Sequence, residues 1–184
     1  MNRLPTAKKV VILDRDGTVV IDKHYLNHPA ELEFLPGAAE GLRCLFEHGF
    51  ELIVITNQSG VGRGLFSARR LKQIHRRLSE MVLAAGARLA AIYVCPHVPA
   101  DACECRKPRM GLLLRAASDL NFRPDEAIVI GDKPSDIGLG RSVGATTVLI
   151  AAGSNQVEAL SAPDHVVRDL AEAARLIGRL PRYA

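Results

Sequence analysis

The chain has 184 residues, of which 48% are hydrophobic and 24% charged, the balance of a globular protein with one ordinary core rather than of several domains. No apolar run approaches the roughly 18 residues of a membrane span, which excludes a spanning helix. The opening "MNRLPTAKKV" lacks the apolar centre of a signal peptide, so the cytoplasm is the expected compartment, and a net charge of +4 leaves room for a small anionic substrate.

In chain order, the first β-branched apolar run is "VVILD" (10–14), and it ends on two acids, Asp14 and Asp16, before a Gly17–Thr18 turn. Pro36–Gly37 open a short helix through Leu42, Leu45 and Phe46, closed by Gly49. "LIVIT" (52–56) is the second strand. Between Ser67 and Ala85, Leu71, Ile74, Leu78, Met81 and Val82 recur at helical spacing. "AAIYVC" (90–95) is the third strand, "LLLRAASDL" (112–120) a helix stopped near Asn121 and Pro124, and "AIVIGD" (127–132) the fourth strand. Gly138, Gly140 and Gly144 weaken the helix that follows Asp136. "TTVLIA" (146–151) is a fifth strand, and 165–180 hold a last short strand and a packing helix. Continuous apolar strands alternating with helices predict one doubly wound, Rossmann-like α/β domain over residues 1–184, its parallel sheet covered on both faces.

Ligands in such sheets sit outside the carboxyl ends of the strands. There this chain places Asp14 and Asp16, then Thr56 to Ser59, then Cys95, then Gly131–Asp132 with Asp136 four residues on. Acids at one edge with no histidine among them need a hard cation, and Mg²⁺ with a phosphate is the natural partner. Asp14 reads as a nucleophile forming an aspartyl-phosphate. Asp16, swung by the turn at Gly17, reads as the acid for the leaving group and then the base for water.

The segments "DRDGT" (14–18), "ITNQSG" (55–60), Lys107 and "GDKPSD" (131–136) resemble, in order and register, the four motifs of the haloacid dehalogenase superfamily of phosphatases. The resemblance runs over nearly the whole chain. It implies Asp14 as nucleophile, Asp16 as acid/base, and Thr56 and Lys107 as stabilisers of the transferring phosphoryl group. It also implies that Asp14, the Asp16 carbonyl and Asp132 hold Mg²⁺, with Asp136 behind them.

A second cluster lies in "CPHVPADACECRKP" (95–108), where Cys95, His97, Cys103 and Cys105 offer three thiolates and an imidazole, the donor set of a closed structural zinc site. A disulfide is the weaker reading in a cytosolic chain. Since Lys107 follows Cys105 by two residues, zinc would also fix where Lys107 points. Cys44 reads as a buried small hydrophobe.

The zinc loop is similar to that of the branch holding heptose bisphosphate phosphatases and histidinol-phosphate phosphatases. Only 39 residues separate Asp16 from Thr56 and 50 separate Thr56 from Lys107, which leaves no room for a cap domain. Arg63, Arg106, Arg109 and Lys133 suit a second phosphate, against Glu104 and Asp22. The resemblance adds Asp22, Lys23, His24, Tyr25, Thr56, Asn57, Gln58, Ser59, Arg106 and Lys133 as substrate contacts, and favours a heptose bisphosphate losing its 7-phosphate. The five residues between His97 and Cys103 point the other way, toward histidinol phosphate.

A polynucleotide 3′-phosphatase and a silent zinc-containing interaction module are further readings. The first lacks a nucleic-acid groove in the sequence, and the second leaves intact catalytic positions unexplained. The basic run Arg69, Arg70, Lys72, Arg76 and Arg77 reads as a solvated helix face. His28 lies in the loop after the first motif, while His48, His75 and His165 read as surface or helix-end residues. A monomer without nucleic-acid or membrane partners is expected.

Overall fold

Six strands form one wholly parallel sheet in the computed structural model, which describes residues 8–151 and 162–181. They are β1 (Val10–Leu13), β2 (Glu51–Asn57), β3 (Leu89–Cys95), β4 (Ile128–Gly131), β5 (Thr146–Ile150) and β6 (His165–Val167), in spatial order β3-β2-β1-β4-β5-β6. The helices are α1 (Ala38–Glu47), α2 (Ser59–Gly62), α3 (Ala68–Ala84), α4 (Gly111–Leu120), α5 (Pro134–Ser142) and α6 (Leu170–Ile177).

Side chains alternate across a strand, and β1 feeds two cores accordingly. Val11 and Leu13 pack with Leu42 and Leu45 of α1, Ile74 and Leu78 of α3, and Ile177 of α6. Val10 and Ile12 pack on the opposite face with Leu113 of α4 and Leu139 of α5. With both faces covered, all four residues of β1 are buried, the reason the strand reads as an unbroken apolar run. Gly140 of α5 finds its role here: a Cβ on it would fall 2.5 Å from Thr147 Cγ2, so the glycine lets α5 lie close on the sheet.

The strand order reverses at β1, with β2 and β3 laid down on one side and β4 to β6 on the other, which opens the crevice at the carboxyl ends of β1 and its neighbours. Three caps aim helices at or around it. Ser67 accepts from the Arg70 N–H at the start of α3, and Asp169 from the Glu172 N–H at the start of α6. In the first turn of α5, Asp136 accepts from the Lys133 N–H at 3.0 Å, which points its carboxyl back toward β4 and β1. Among the described residues no helix is long and apolar enough to cross a membrane. The opening "MNRLPTA" lies outside the described residues.

Candidate active site

At the end of β1, Asp14 is 7% exposed, and its contacts all meet one oxygen. Oδ1 accepts from the Arg15 backbone N–H at 2.7 Å and stands 2.8 Å from the Lys107 ammonium. Oδ2 takes neither contact, so one oxygen is clamped while the other is available at the strand end.

Lys107 is 4% exposed, and a buried ammonium needs partners for its charge and its N–H groups. It donates to the Ile55 carbonyl at 2.7 Å and pairs with Asp14 Oδ1 and, at 2.7 Å, with Asp136 Oδ1. Burial works against its charge, but the two carboxylates outweigh that and hold its pKa above the ordinary lysine range. Its backbone is held as firmly: the Lys107 N–H donates to Asn57 Oδ1 at 3.0 Å, and Asn57 Nδ2 donates back to the Lys107 carbonyl at 3.2 Å. The end of β2 thus fixes a lysine 50 residues away.

Asp14, Asp132 and Asp136 can each bring an oxygen within 4.8 Å of the others. Burial, joined by the charges of Asp14 and Asp136 against the pull of Lys133, pushes the Asp132 carboxyl up to about 6. Such an all-oxygen, charge-starved corner fits a hard divalent cation such as Mg²⁺. Both oxygens of Asp136 are already engaged, by Lys107 and the Lys133 N–H, which fits its expected place behind the ligands. Gly17 has φ +86°, and a Cβ there would fall 2.2 Å from Asp132 Oδ2, so only glycine lets the β1 turn and Asp132 meet.

Asp16 has partners of its own. It receives Arg15 Nε, Arg15 Nη2 and, at 2.7 Å, Gln58 Nε2, which also reaches Thr56 Oγ1 at 2.9 Å. Burial raises its pKa in spite of Arg15, which suits a group that must carry a proton.

A cleft of about 280 Å³ opens beside Asp16, with Asp22, Tyr25, Ser59, Gly60 and Lys133 on its walls. Lys133 Nζ lies 3.0 Å from Asp22 Oδ2 across it. Lys133 holds the Asp22 carboxyl below its usual range although partial burial opposes this. A larger hollow of about 450 Å³ sits at the amino ends of β2 and β3, near Phe50 and Arg88, away from all of these groups.

The cysteine loop follows β3. The sulfurs of Cys95, Cys103 and Cys105 lie 3.3 to 3.6 Å apart, and His97 Nδ1 is 3.1 Å from Cys105 Sγ. These separations are far beyond the roughly 2.05 Å of a disulfide. They approach the roughly 3.8 Å edge of a tetrahedron built on zinc–sulfur bonds of about 2.3 Å. Burial and the Cys105 thiol push Cys95 up to about 12, whereas at Cys103 the neighbouring thiols overcome desolvation and bring the group down to about 7. Thiols competing this closely for protons suit a cation that would take them as thiolates.

Residues 104–173 match the family model described as HAD-hydrolase-like. The D-glycero-beta-D-manno-heptose-1,7-bisphosphate 7-phosphatase of Pasteurella multocida (strain Pm70) is 34% identical over 178 residues, covering 92% of this chain and 97% of that protein. The chain belongs to this family. The equally named protein of Yersinia pestis is 35% identical over 91% of this chain and 94% of its own. Among solved structures, D,D-heptose 1,7-bisphosphate phosphatase from B. bronchiseptica, complexed with magnesium and phosphate, superposes with a TM-score of 0.79 at 30% identity over 91% of this chain and 97% of its own.

Within this family member the sequence-derived residues outside the cysteine loop divide into three groups. Asp14, Asp16, Thr56, Gln58, Lys107, Asp132 and Asp136 converge at the ends of β1, β2 and β4. Asp22, His24, Tyr25, Asn57, Ser59 and Lys133 line the cleft beside them. The remaining basic residues have other engagements: Lys23 pairs with Glu33 at 2.7 Å, Arg109 with Glu104 and the Cys103 carbonyl, and Arg106 donates to the His97 carbonyl at 3.3 Å, while Arg63 is exposed after α2. Two expectations need correction. Cys44 is not buried but half-buried at the edge of the core, its Sγ 3.7 Å from His48 Nδ1. His75 is not a surface residue of the basic α3 face but is drawn inward, its Nε2 lying 3.2 Å from Arg15 Nη1. The helical periodicity places it beside Ile74, yet only the fold brings Arg15 to it.

Proposed function

We propose that this protein is a Mg²⁺-dependent phosphatase that removes the 7-phosphate of D-glycero-β-D-manno-heptose 1,7-bisphosphate in heptose biosynthesis, working as one capless domain. The observation that carries the reading is Asp14, with Oδ1 held by Lys107 and the Arg15 N–H and Oδ2 left to react. The near full-length relatives of that name supply the substrate.

In the forward step an Asp14 oxygen attacks phosphorus, the bond from phosphorus to the sugar oxygen breaks, and Asp16 gives its proton to that oxygen. Lys107 and the Thr56 hydroxyl meet the charge on the phosphoryl oxygens. Asp16, now a carboxylate, then takes a proton from water as it attacks the aspartyl-phosphate, which frees inorganic phosphate and restores Asp14. Mg²⁺, held by Asp14, Asp132 and the Asp16 carbonyl, would supply positive charge to the phosphate throughout. Lys133, with Asp22 beside it, is the basic group in the cleft for the second phosphate.

Phosphate release with Mg²⁺ from the α and β anomers of the bisphosphate and from histidinol phosphate, each as kcat/KM, tests the assignment. The β anomer is expected to lead, and Lys133→Ala to lower its kcat/KM by roughly 30-fold, as loss of a charged phosphate contact does. A preference for histidinol phosphate would overturn the substrate and favour the short spacing from His97 to Cys103 as the better clue.

Zinc in the cysteine loop acts on the same centre through Lys107, two residues past Cys105. Removing it frees one side of a backbone that Asn57 holds from the other. A misplacement near 1 Å can cost about 100-fold. Turnover is therefore expected to fall roughly ten- to 100-fold in chelator at temperatures where circular dichroism still reports a folded chain. Full activity in protein shown by metal analysis to be zinc-free would break this link.

A further inference from the structure

Arg15 lies between the two acids of "DRD", and its side chain is almost wholly enclosed, with the residue 1% exposed. A guanidinium cannot discard its charge, so burial obliges it to find acceptors for its five N–H groups. Asp16 takes one side of the fork: Nε lies 3.0 and 3.1 Å from its two oxygens, and Nη2 2.9 and 2.8 Å. The far nitrogen, Nη1, reaches 3.2 Å to His75 Nε2. Because Arg15 can only donate, Nε2 must present its lone pair, which makes His75 a neutral imidazole with its proton on Nδ1. Its neighbours Ile74 and Leu78 are fully buried in the core under α3, so the helix that carries the ring is fixed by packing.

We propose that His75 is a positioning residue for Asp16, acting through Arg15 and leaving the substrate untouched. The inference rests on the acid/base role given to Asp16 above. A carboxylate that must first protonate a leaving oxygen and then deprotonate water has to present the same edge twice. The plane of the Arg15 fork, together with Gln58, sets that edge, and the fork is anchored at its far end by a single ring from α3. Without the ring, Nη1 loses its acceptor in a closed space and the guanidinium must turn to find another, taking Asp16 with it.

Leaving-group dependence separates this role from plain stability. A sugar alkoxide is a poor leaving group and needs the proton from Asp16, whereas nitrophenolate leaves without one. With full-length protein and Mg²⁺, kcat/KM is read for the heptose bisphosphate and for 4-nitrophenyl phosphate. His75→Leu is expected to lower the ratio of the first to the second by about ten- to 100-fold. His75→Gln, which keeps an acceptor, should recover most of it. If the leucine variant does not fold, His75→Ala with added imidazole gives the same reading, the free ring restoring the ratio. Equal losses on both esters, or no loss, would overturn the proposal. Asp16→Asn distinguishes its failure from that of the reading beneath it. If Asp16→Asn stops sugar phosphate turnover and His75→Leu leaves the ratio at the wild-type value, only the role of His75 falls. If Asp16→Asn still turns over the sugar phosphate, the acid/base assignment falls and this proposal with it.

Discussion

Asp14→Asn abolishes phosphate release, lowering kcat by at least about 10⁴-fold, while the fold and the metal content of the cysteine loop stay as in the wild type. An amide has the shape of the carboxylate but no oxygen basic enough to attack phosphorus. The local structure tolerates the change because the amide oxygen can still accept from the Arg15 N–H and from Lys107, which keeps Asp136 and the Ile55 carbonyl. The cost is the charge in one hydrogen bond, about 1 kcal/mol, or roughly 2–4 °C in Tm for a chain of this size. Phosphate release, calorimetry and zinc analysis on one preparation settle the matter. Retention of more than about 1% of turnover would take the nucleophile role from Asp14, since loss of an essential nucleophile costs orders of magnitude more than that. Complete inactivity in the wild type would instead favour the silent zinc-containing module.

What could be read in the sequence is what the chain writes contiguously. A strand covered on both faces leaves an unbroken apolar run, so β1, β2, β4 and β5 stand out, and the acids at their ends follow directly. The cysteines stand close enough in sequence for their ligand spacing to be visible. The one-turn helix α2, spelled Ser-Gly-Val-Gly, is too short to carry a period and leaves no such trace. Nor does the grip of Asn57 on the Lys107 backbone or that of His75 on Arg15, because each joins residues 50 and 60 positions apart. Arginine and lysine in a loop are also silent about their partners. Lys133 faces the cleft, while Arg109 and Lys23, of the same charge, close on Glu104 and Glu33. Charge composition forecasts a basic subsite, but the fold decides which cation lines the cleft, where Lys133 has Asp22 as its own partner.

Lys107→Met is expected to damage stability as well as turnover, because the lysine is the counter-charge for two buried acids. Asp136 is 1% exposed, and its Oδ1 faces the ammonium at 2.7 Å, with Asp14 Oδ1 at 2.8 Å on the other side. Removing one member of a buried ionic group leaves charge without compensation and costs about 3–5 kcal/mol, which lowers Tm by roughly 6–20 °C in a chain of this length. Because the folded pKa of Lys107 lies above its ordinary value, its contribution is fully present below the unfolded lysine pKa and is lost as pH rises through the folded one. The loss in the methionine variant is therefore the same at pH 6 as at pH 8 where the lysine alone is concerned. Turnover should fall by at least about 10³-fold, since the ammonium is both the clamp on Asp14 and the charge offered to the phosphoryl group. The sign of the double variant is the sharper test. In metal-free buffer, adding Asp14→Asn to Lys107→Met removes one of the two stranded carboxylates and should raise Tm above that of Lys107→Met alone, although neither change is stabilising by itself. Additive losses would mean that the lysine is held by the Ile55 carbonyl and the Asn57 clamp rather than by the acids, and that its charge serves the phosphate without balancing the core.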